Sequence, residues 1–257
     1  MDSETLLGKV RQVYKGLATY SDAGTVEMLP MERVPTEFKT HFLMPSKFRF
    51  EWREWHPHFG KTHTPNEHIV WSDGEDTHQI ILGELTHPDL QTAIGSATAI
   101  SELSILMILP LLLHNPFEPQ LPFMWSEMRD SRIIKEEVVN GYPCYHLIGT
   151  TNTTYDKEVW ISKEDYIVRR LKTKIEITNT QAEEQFSAMM AALKESGQDL
   201  SELPTNYQDL LRYLPNLPST EYVHNYRSVM VDKPLPVDLF EFDPNNPPKV
   251  SRWGPIK

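Results

Sequence analysis

The chain has 257 residues, enough for one large all-β or mixed domain or for two small ones. Hydrophobic residues make up 39% and charged residues 24%, a balance that supports a sizeable core and argues against global disorder. With 36 acidic and 25 basic side chains the formal net charge is −11, which argues against nucleic acid and anionic membrane surfaces as partners. The single cysteine, Cys144, rules out an intramolecular disulfide and a cysteine-rich zinc site. Twenty prolines against 11 glycines suggest many chain reversals and few long helices.

The polar start, Met1-Asp2-Ser3-Glu4, shows no secretory signal; it fits a cytosolic protein, or an exported one whose signal has been removed. Leu6, Val10, Val13, Tyr14 and Leu17 recur at helical spacing, predicting an amphipathic helix over 3–20 that Ser21-Asp22-Ala23-Gly24 breaks. Alternation then takes over. Phe38, Thr40, Phe42 and Met44 point one way; after Pro45-Ser46, so do Phe48, Phe50 and Trp52, with Arg49, Glu51 and Arg53 opposite. Ile69-Val70-Trp71 ends at the turn signal Ser72-Asp73-Gly74, and residues 79–82 return.

Residues 88–114 interrupt this meander with helical sequence that is apolar on nearly every face over 103–113, so the helix must be buried or lie over a greasy hollow. That stretch falls short of the ~20 apolar residues needed to span a bilayer, so no stable membrane insertion is expected. Strands are predicted again at 133–139, 142–149 across Asn140-Gly141, 157–161, 166–177, 221–232 and 239–242. Between them, two amphipathic stripes over 181–218 read as a helical insertion.

Catalytic signals are weak. His56, His58, His63 and His68 are potential metal ligands, yet their spacing matches no closed motif, and a polar hairpin loop explains them equally; no metal is expected. Cys144 and His146 share a strand face, but no orienting acid is apparent, and a free cysteine in such a pattern reads as core. Nucleophile-elbow, dinucleotide and phosphate-loop motifs are missing. What remains is a sheet face rich in Phe and Trp beside an all-apolar helix. This is either an ordinary core or a cavity too wide for the helices to fill.

The order of motifs resembles that of the bacterial lipoprotein carrier superfamily of LolA and LolB. Met44-Pro45-Ser46-Lys47-Phe48-Arg49-Phe50-Glu51-Trp52 is similar to the family's Arg-Pro-x-x-Phe-x-Trp segment, and Ile69 to Gly74 to its Ile-x-Val-Ser-Asp-Gly. Val159-Trp160-Ile161-Ser162 with Tyr166 to Arg170, and then Leu239 to Pro244, resemble its later hairpin and its closing Phe-x-Phe-x-Pro. Ser21-Asp22-x-Gly24 and Gly141-x-x-Cys144-Tyr145 are most similar to a branch of uncharacterised predicted periplasmic proteins. The resemblance implies an α+β fold: a curved, antiparallel, half-open β-barrel with helices covering its concave face. It implies an acyl-chain cavity, an exported or periplasmic location and no catalysis. The family's basic residue before the proline, which latches the lid helices, is replaced here by Met44, whose thioether cannot donate hydrogen bonds.

The expectation is therefore a single LolA-like domain over 1–257 with a helical insertion at about 181–218. It is a non-enzymatic envelope protein, without cofactor, that binds a lipid or an acylated protein. The expected cavity lining is Phe42, Phe48, Phe50, Trp52, Trp71, Leu106, Leu109 and Leu113, each supplying apolar area; the sequence leaves open which sheet face is concave. Two competing readings stand beside it. One is a scaffold with a filled core that docks a protein partner through the 181–218 arm. The other is a metal-dependent enzyme using the 56–68 loop.

Overall fold

The Asp2 carboxylate accepts from Thr5 N at 2.8 Å and so caps the first helix, α1 (Ser3–Gly16). In the computed structural model, which describes residues 1–30, 34–55, 64–81, 83–89, 92–93, 97, 128–150, 156–175 and 220–241, α1 buries Leu6, Leu7, Val10 and Tyr14 along one stripe. Burying such side chains contributes roughly 1.5–3 kcal/mol each. The Tyr14 hydroxyl accepts from Val168 N at 3.2 Å, and Ser3 Oγ donates to Ser131 O at 2.6 Å, so the helix is tied to two strands far away in sequence.

The helix stops earlier than the periodicity predicts. Leu17 is already extended, and Ala18 N donates to the Asp232 carboxylate at 2.7 Å. The Ser21–Gly24 stretch then lies inside β1 (Thr19–Leu29) instead of breaking the chain. Gly24 serves close approach there, not a turn. A Cβ on it would stand 2.2 Å from Asn225 O and 2.6 Å from the Phe38 ring. Gly24→Ala is expected to destabilise the protein by about 2–3 kcal/mol, read as a shifted urea midpoint with unchanged slope; a midpoint at the wild-type value would contradict this packing.

The remaining strands are β2 (Thr36–Leu43), β3 (Lys47–Glu54), β4 (Asn66–Ser72), β5 (Thr77–Ile81), β6 (Glu84–Thr86), β7 (Arg129–Val139), β8 (Tyr142–Thr150), β9 (Asp156–Ser162), β10 (Val168–Ile175) and β11 (Thr220–Val231). Among the described residues they form one sheet in the order β6-β5-β4-β3-β2-β1-β11-β10-β9-β8-β7. Its registered pairs are antiparallel, including the first strand against the last. The sheet is open, with β6 and β7 at its two ends. The predicted hairpin turn at Asn140-Gly141 is there, with φ of 52° and 85°, the left-handed pair that a tight two-residue turn requires. Asp73 closes the β4–β5 turn by accepting from Glu75 N and Asp76 N, both at 2.9 Å.

The strand predicted at 239–242 is replaced, as far as residue 241, by a 3₁₀ turn at Val237–Leu239. Pro234 and Pro236 carry no N–H for a ladder, and Leu239 O accepts instead from the Arg49 guanidinium at 3.1 Å. The apolar helix predicted over 88–114 lies largely outside the described residues. At its start the Asp89 carboxylate accepts from Thr92 N at 2.8 Å, and Ala93 N donates to Asp89 O at 3.0 Å, a capped first turn with Pro88 just ahead of it. Among the described residues α1 packs on one face of the sheet, and the helical Ala93 and Ala97 are buried in the same hydrophobic cluster. The chain divides into two compact units, Met1–Thr173 with Glu221–Lys257, and Lys174–Thr220. The insertion expected at about 181–218 lies outside the described residues.

Candidate ligand-binding site

Strand register sorts the aromatic side chains onto two faces. Phe42 pairs with Phe48 and Tyr20, Thr40 with Phe50, and Phe38 with Trp52, so all of these share one side of the sheet. That side faces α1: Tyr14 and Tyr20 pack with ring centroids 5.8 Å apart, and the helix and these strands form one hydrophobic cluster. Phe42, Phe48, Phe50 and Trp52, four of the residues expected to line a cavity, are fully buried here. Phe42 stacks on Phe48 at 6.2 Å and Phe50 on Trp52 at 5.3 Å; Trp52 stacks in turn on His68 at 4.9 Å.

Trp71 does not join them. It pairs with Arg49, and Ile69 with Glu51, so both point to the far side of the sheet. There Arg49 Nε meets Glu51 Oε1 at 2.5 Å, and the Trp71 ring packs against His78 at 5.1 Å. Trp71 follows an adjacent apolar pair, Ile69-Val70, in which alternation gives no face. Leu106, Leu109 and Leu113 lie outside the described residues.

Gly24 shapes the middle of the α1 side. Without a side chain there, the Phe38 ring reaches over β1 to Tyr226 (5.7 Å, edge-on) and His224 (6.5 Å) on β11. A continuous run of rings, contributed by four strands and passing over β1, therefore leads from His224 through Phe38, Phe50 and Trp52 to His68.

Buried polar groups interrupt this greasy face, and sequence reasoning did not single them out. The Tyr20 hydroxyl donates to Asp22 Oδ2 at 2.6 Å, while Asp22 Oδ1 has no partner among the described residues. Burial pushes the Asp22 carboxyl up to about 7. Lys157 pairs with Gly149, in step with Val159 and Leu147, which puts it on the α1 side; its Nζ donates to Thr173 Oγ1 at 2.7 Å. Burial pushes the Lys157 ammonium down to about 7. His224 pairs with Val26, is fully buried, and is held down to about 3 by burial and by the Lys157 charge. Each of the three falls at an inward position of its strand, which for Asp22 emerges only in the structure because its stretch reads as a chain break.

The residues weighed for catalysis are placed differently. His56, His58 and His63 lie outside the described residues, and His68 sits on β4 against Trp52. Among the described residues no group of three or more His, Cys, Asp or Glu is placed to hold a metal ion. Cys144 is buried with Val139 and Trp160 on the far side, and its thiol donates to Tyr142 O at 3.3 Å. Burial pushes that thiol up, away from the thiolate. His146 turns to carboxylates, with Nε2 2.8 Å from Glu158 and Nδ1 3.1 Å from Glu137 outside hydrogen-bond geometry, and its ring stacks on Trp160 at 4.1 Å.

Residues 99–197 match the family described as "Predicted periplasmic protein (DUF2092)". The match spans less than half of the chain and agrees with the predicted periplasmic branch that the sequence resembles. No curated protein matches the chain. Similar solved structures include MucB in the Pseudomonas aeruginosa MucA/MucB complex, with TM-score 0.43 and 11% identity over 98% of this chain and 66% of that one. LprF from Mycobacterium bovis has TM-score 0.43 and 7% identity, over 91% and 94%. The LolA superfamily protein NE2245 from Nitrosomonas europaea has TM-score 0.33 and 10% identity, over 94% and 98%. The chain spans less than two thirds of MucB, 62% of it in a second MucB structure.

Proposed function

We propose that the chain is a non-catalytic cell-envelope protein that holds a lipid or lipoprotein acyl chain on the α1 side of its open sheet. The supporting observation is the run of buried rings across β11, β2, β3 and β4, which Gly24 makes continuous. An alkyl chain laid on such a strip gains roughly 25 cal/mol per Å2 of apolar area removed from water. The match to a predicted periplasmic family supports the envelope location. The non-catalytic reading is supported by a thiol that burial pushes up, away from the thiolate, and by a histidine engaged with carboxylates.

A fluorescent fatty-acid probe tests this reading. Saturable binding at micromolar probe, with energy transfer from tryptophan and displacement by unlabelled fatty acid, is the expected result. No binding by folded protein would put a second reading ahead, in which a protein partner docks through the 181–218 segment. That reading draws on the segment's place within a compact unit of its own, Lys174–Thr220. MucB is named in complex with MucA; for the present chain a protein partner is part of this second proposal.

A further inference from the structure

Asp22 on β1 and Thr40 on β2 are registered partners on the α1 side of the sheet. Phe38 and Phe42 flank Thr40 on its own strand, and Phe50 pairs with it from β3, so both polar side chains sit inside the ring strip. Both are almost wholly buried, Asp22 at 5% and Thr40 at 1% exposure. The Tyr20 hydroxyl donates to Asp22 Oδ2 at 2.6 Å, which fixes the carboxylate and leaves Oδ1 over. Asp22 Oδ1 and Thr40 Oγ1 are buried, and neither has a hydrogen-bond partner among the described residues. Thr40 stands close enough to hold the Asp22 carboxyl down somewhat against the effect of burial, yet outside hydrogen-bond geometry. Registered partners on antiparallel strands keep their Cβ atoms about 4.5–5.5 Å apart, so one small group can reach both. An unmet carboxylate oxygen beside an unmet hydroxyl costs free energy among rings, and native proteins seldom leave such a pair without a bound group to complete it.

We propose that Asp22 and Thr40 form a hydroxyl-binding subsite within the acyl-chain site, so that the preferred ligand is an uncharged lipid with a free hydroxyl. This inference rests on the carrier reading and names its ligand class. An alcohol fits both atoms at once: its O–H donates to Asp22 Oδ1 while its oxygen accepts from the Thr40 hydroxyl. An ether would satisfy Thr40 and leave Oδ1 unmet. A carboxylate or phosphate head would face the like charge of Asp22. An ammonium brings three donors to a single free carboxylate oxygen, and its other donors would lose water for nothing. The alkyl chain would lie on the rings around the pair, over Phe38 and Phe50 towards Trp52.

The test displaces the fluorescent fatty-acid probe with two ligands of the same chain length, hexadecanol and 1-methoxyhexadecane. Titrations run at about pH 8, above the Asp22 carboxyl that burial pushes up to about 7. The alcohol is expected to bind about tenfold more tightly than the ether, the size of one buried hydrogen bond to a charged group. In Asp22→Asn the amide carbonyl keeps the Tyr20 hydroxyl, so the amide N–H2 turns the free position from acceptor to donor. The ether then gains a partner, and the two ligands should converge to within about threefold. Thr40→Val, of the same shape, removes a bond common to both ligands; it should weaken each by about three- to tenfold and preserve the advantage of the alcohol. Equal binding of alcohol and ether by the wild type, an advantage unchanged in Asp22→Asn, or wild-type affinities in Thr40→Val overturns the hydroxyl subsite and leaves the carrier reading standing. Binding of neither ligand nor probe by folded protein overturns both.

Discussion

Trp52→Ala is expected to lower stability by about 3–5 kcal/mol and to weaken fatty-acid probe binding at least about tenfold. Trp71→Ala should cost a similar amount of stability and leave binding within about twofold. Both indoles are fully buried, so burial alone does not distinguish them. Register does. Trp52 faces α1, between Phe50 at 5.3 Å and His68 at 4.9 Å, and sits in the middle of the ring strip. Trp71 points to the other face, above the Arg49–Glu51 pair and against His78. Deleting either opens a void that neighbours held in a sheet fill poorly, which sets the stability cost. Urea denaturation measures that cost, and probe titration of the folded fraction measures the binding. If Trp71→Ala alone weakened binding, the ligand would belong on the far side.

Asp22→Asn is expected to stabilise the protein above about pH 7, by on the order of 4 kcal/mol, and to leave it nearly unchanged below about pH 4. The sign follows from proton counting. The unfolded carboxyl titrates at the ordinary 3.8, whereas in the fold burial pushes it up to about 7. Between those values the folded state holds a proton that the unfolded state has lost, so stability falls as pH rises through the window and the full penalty stands above it. Asparagine keeps an acceptor for the Tyr20 hydroxyl and carries no charge, so the penalty disappears. Lys157 has the opposite slope: its ammonium, pushed down from 10.5 to about 7, makes stability rise with pH between those values. It does so in wild type and variant alike, as does the buried His224 on the acid side, so both cancel in the difference. Urea midpoints taken at half-unit steps from about pH 4 to 9 should diverge through the middle of this range. Parallel profiles would show that Asp22 is not a buried carboxyl.

Much of the sheet was legible because its strands alternate cleanly. Phe38, Phe42, Phe48, Phe50 and Trp52 sit at every second position, and the structure puts all five on one face. Asn140-Gly141 and Asp73-Gly74 announced their turns for the reason that makes them turns: left-handed backbone and a short acceptor side chain. Ser21–Gly24 misled because its composition suits a loop, while the need for Gly24 arises from Asn225 and Phe38, which come near only in the folded sheet. Trp71 misled because Ile69-Val70-Trp71 is apolar throughout, leaving its face to be decided by pairing with β3. Asp22, Lys157 and His224 were passed over because each looks unremarkable among its sequence neighbours. Their meaning comes from burial, which pushes Asp22 up and Lys157 and His224 down.

Native mass spectrometry of the protein purified from its own host tests the carrier account most directly. The account predicts a one-to-one adduct of a few hundred daltons that survives gentle desolvation, leaves on organic extraction, and yields an acyl-chain lipid. Trp52→Ala protein should carry less of it and Trp71→Ala protein the full complement. Bare protein throughout, still without an adduct after incubation with palmitate, would contradict the account.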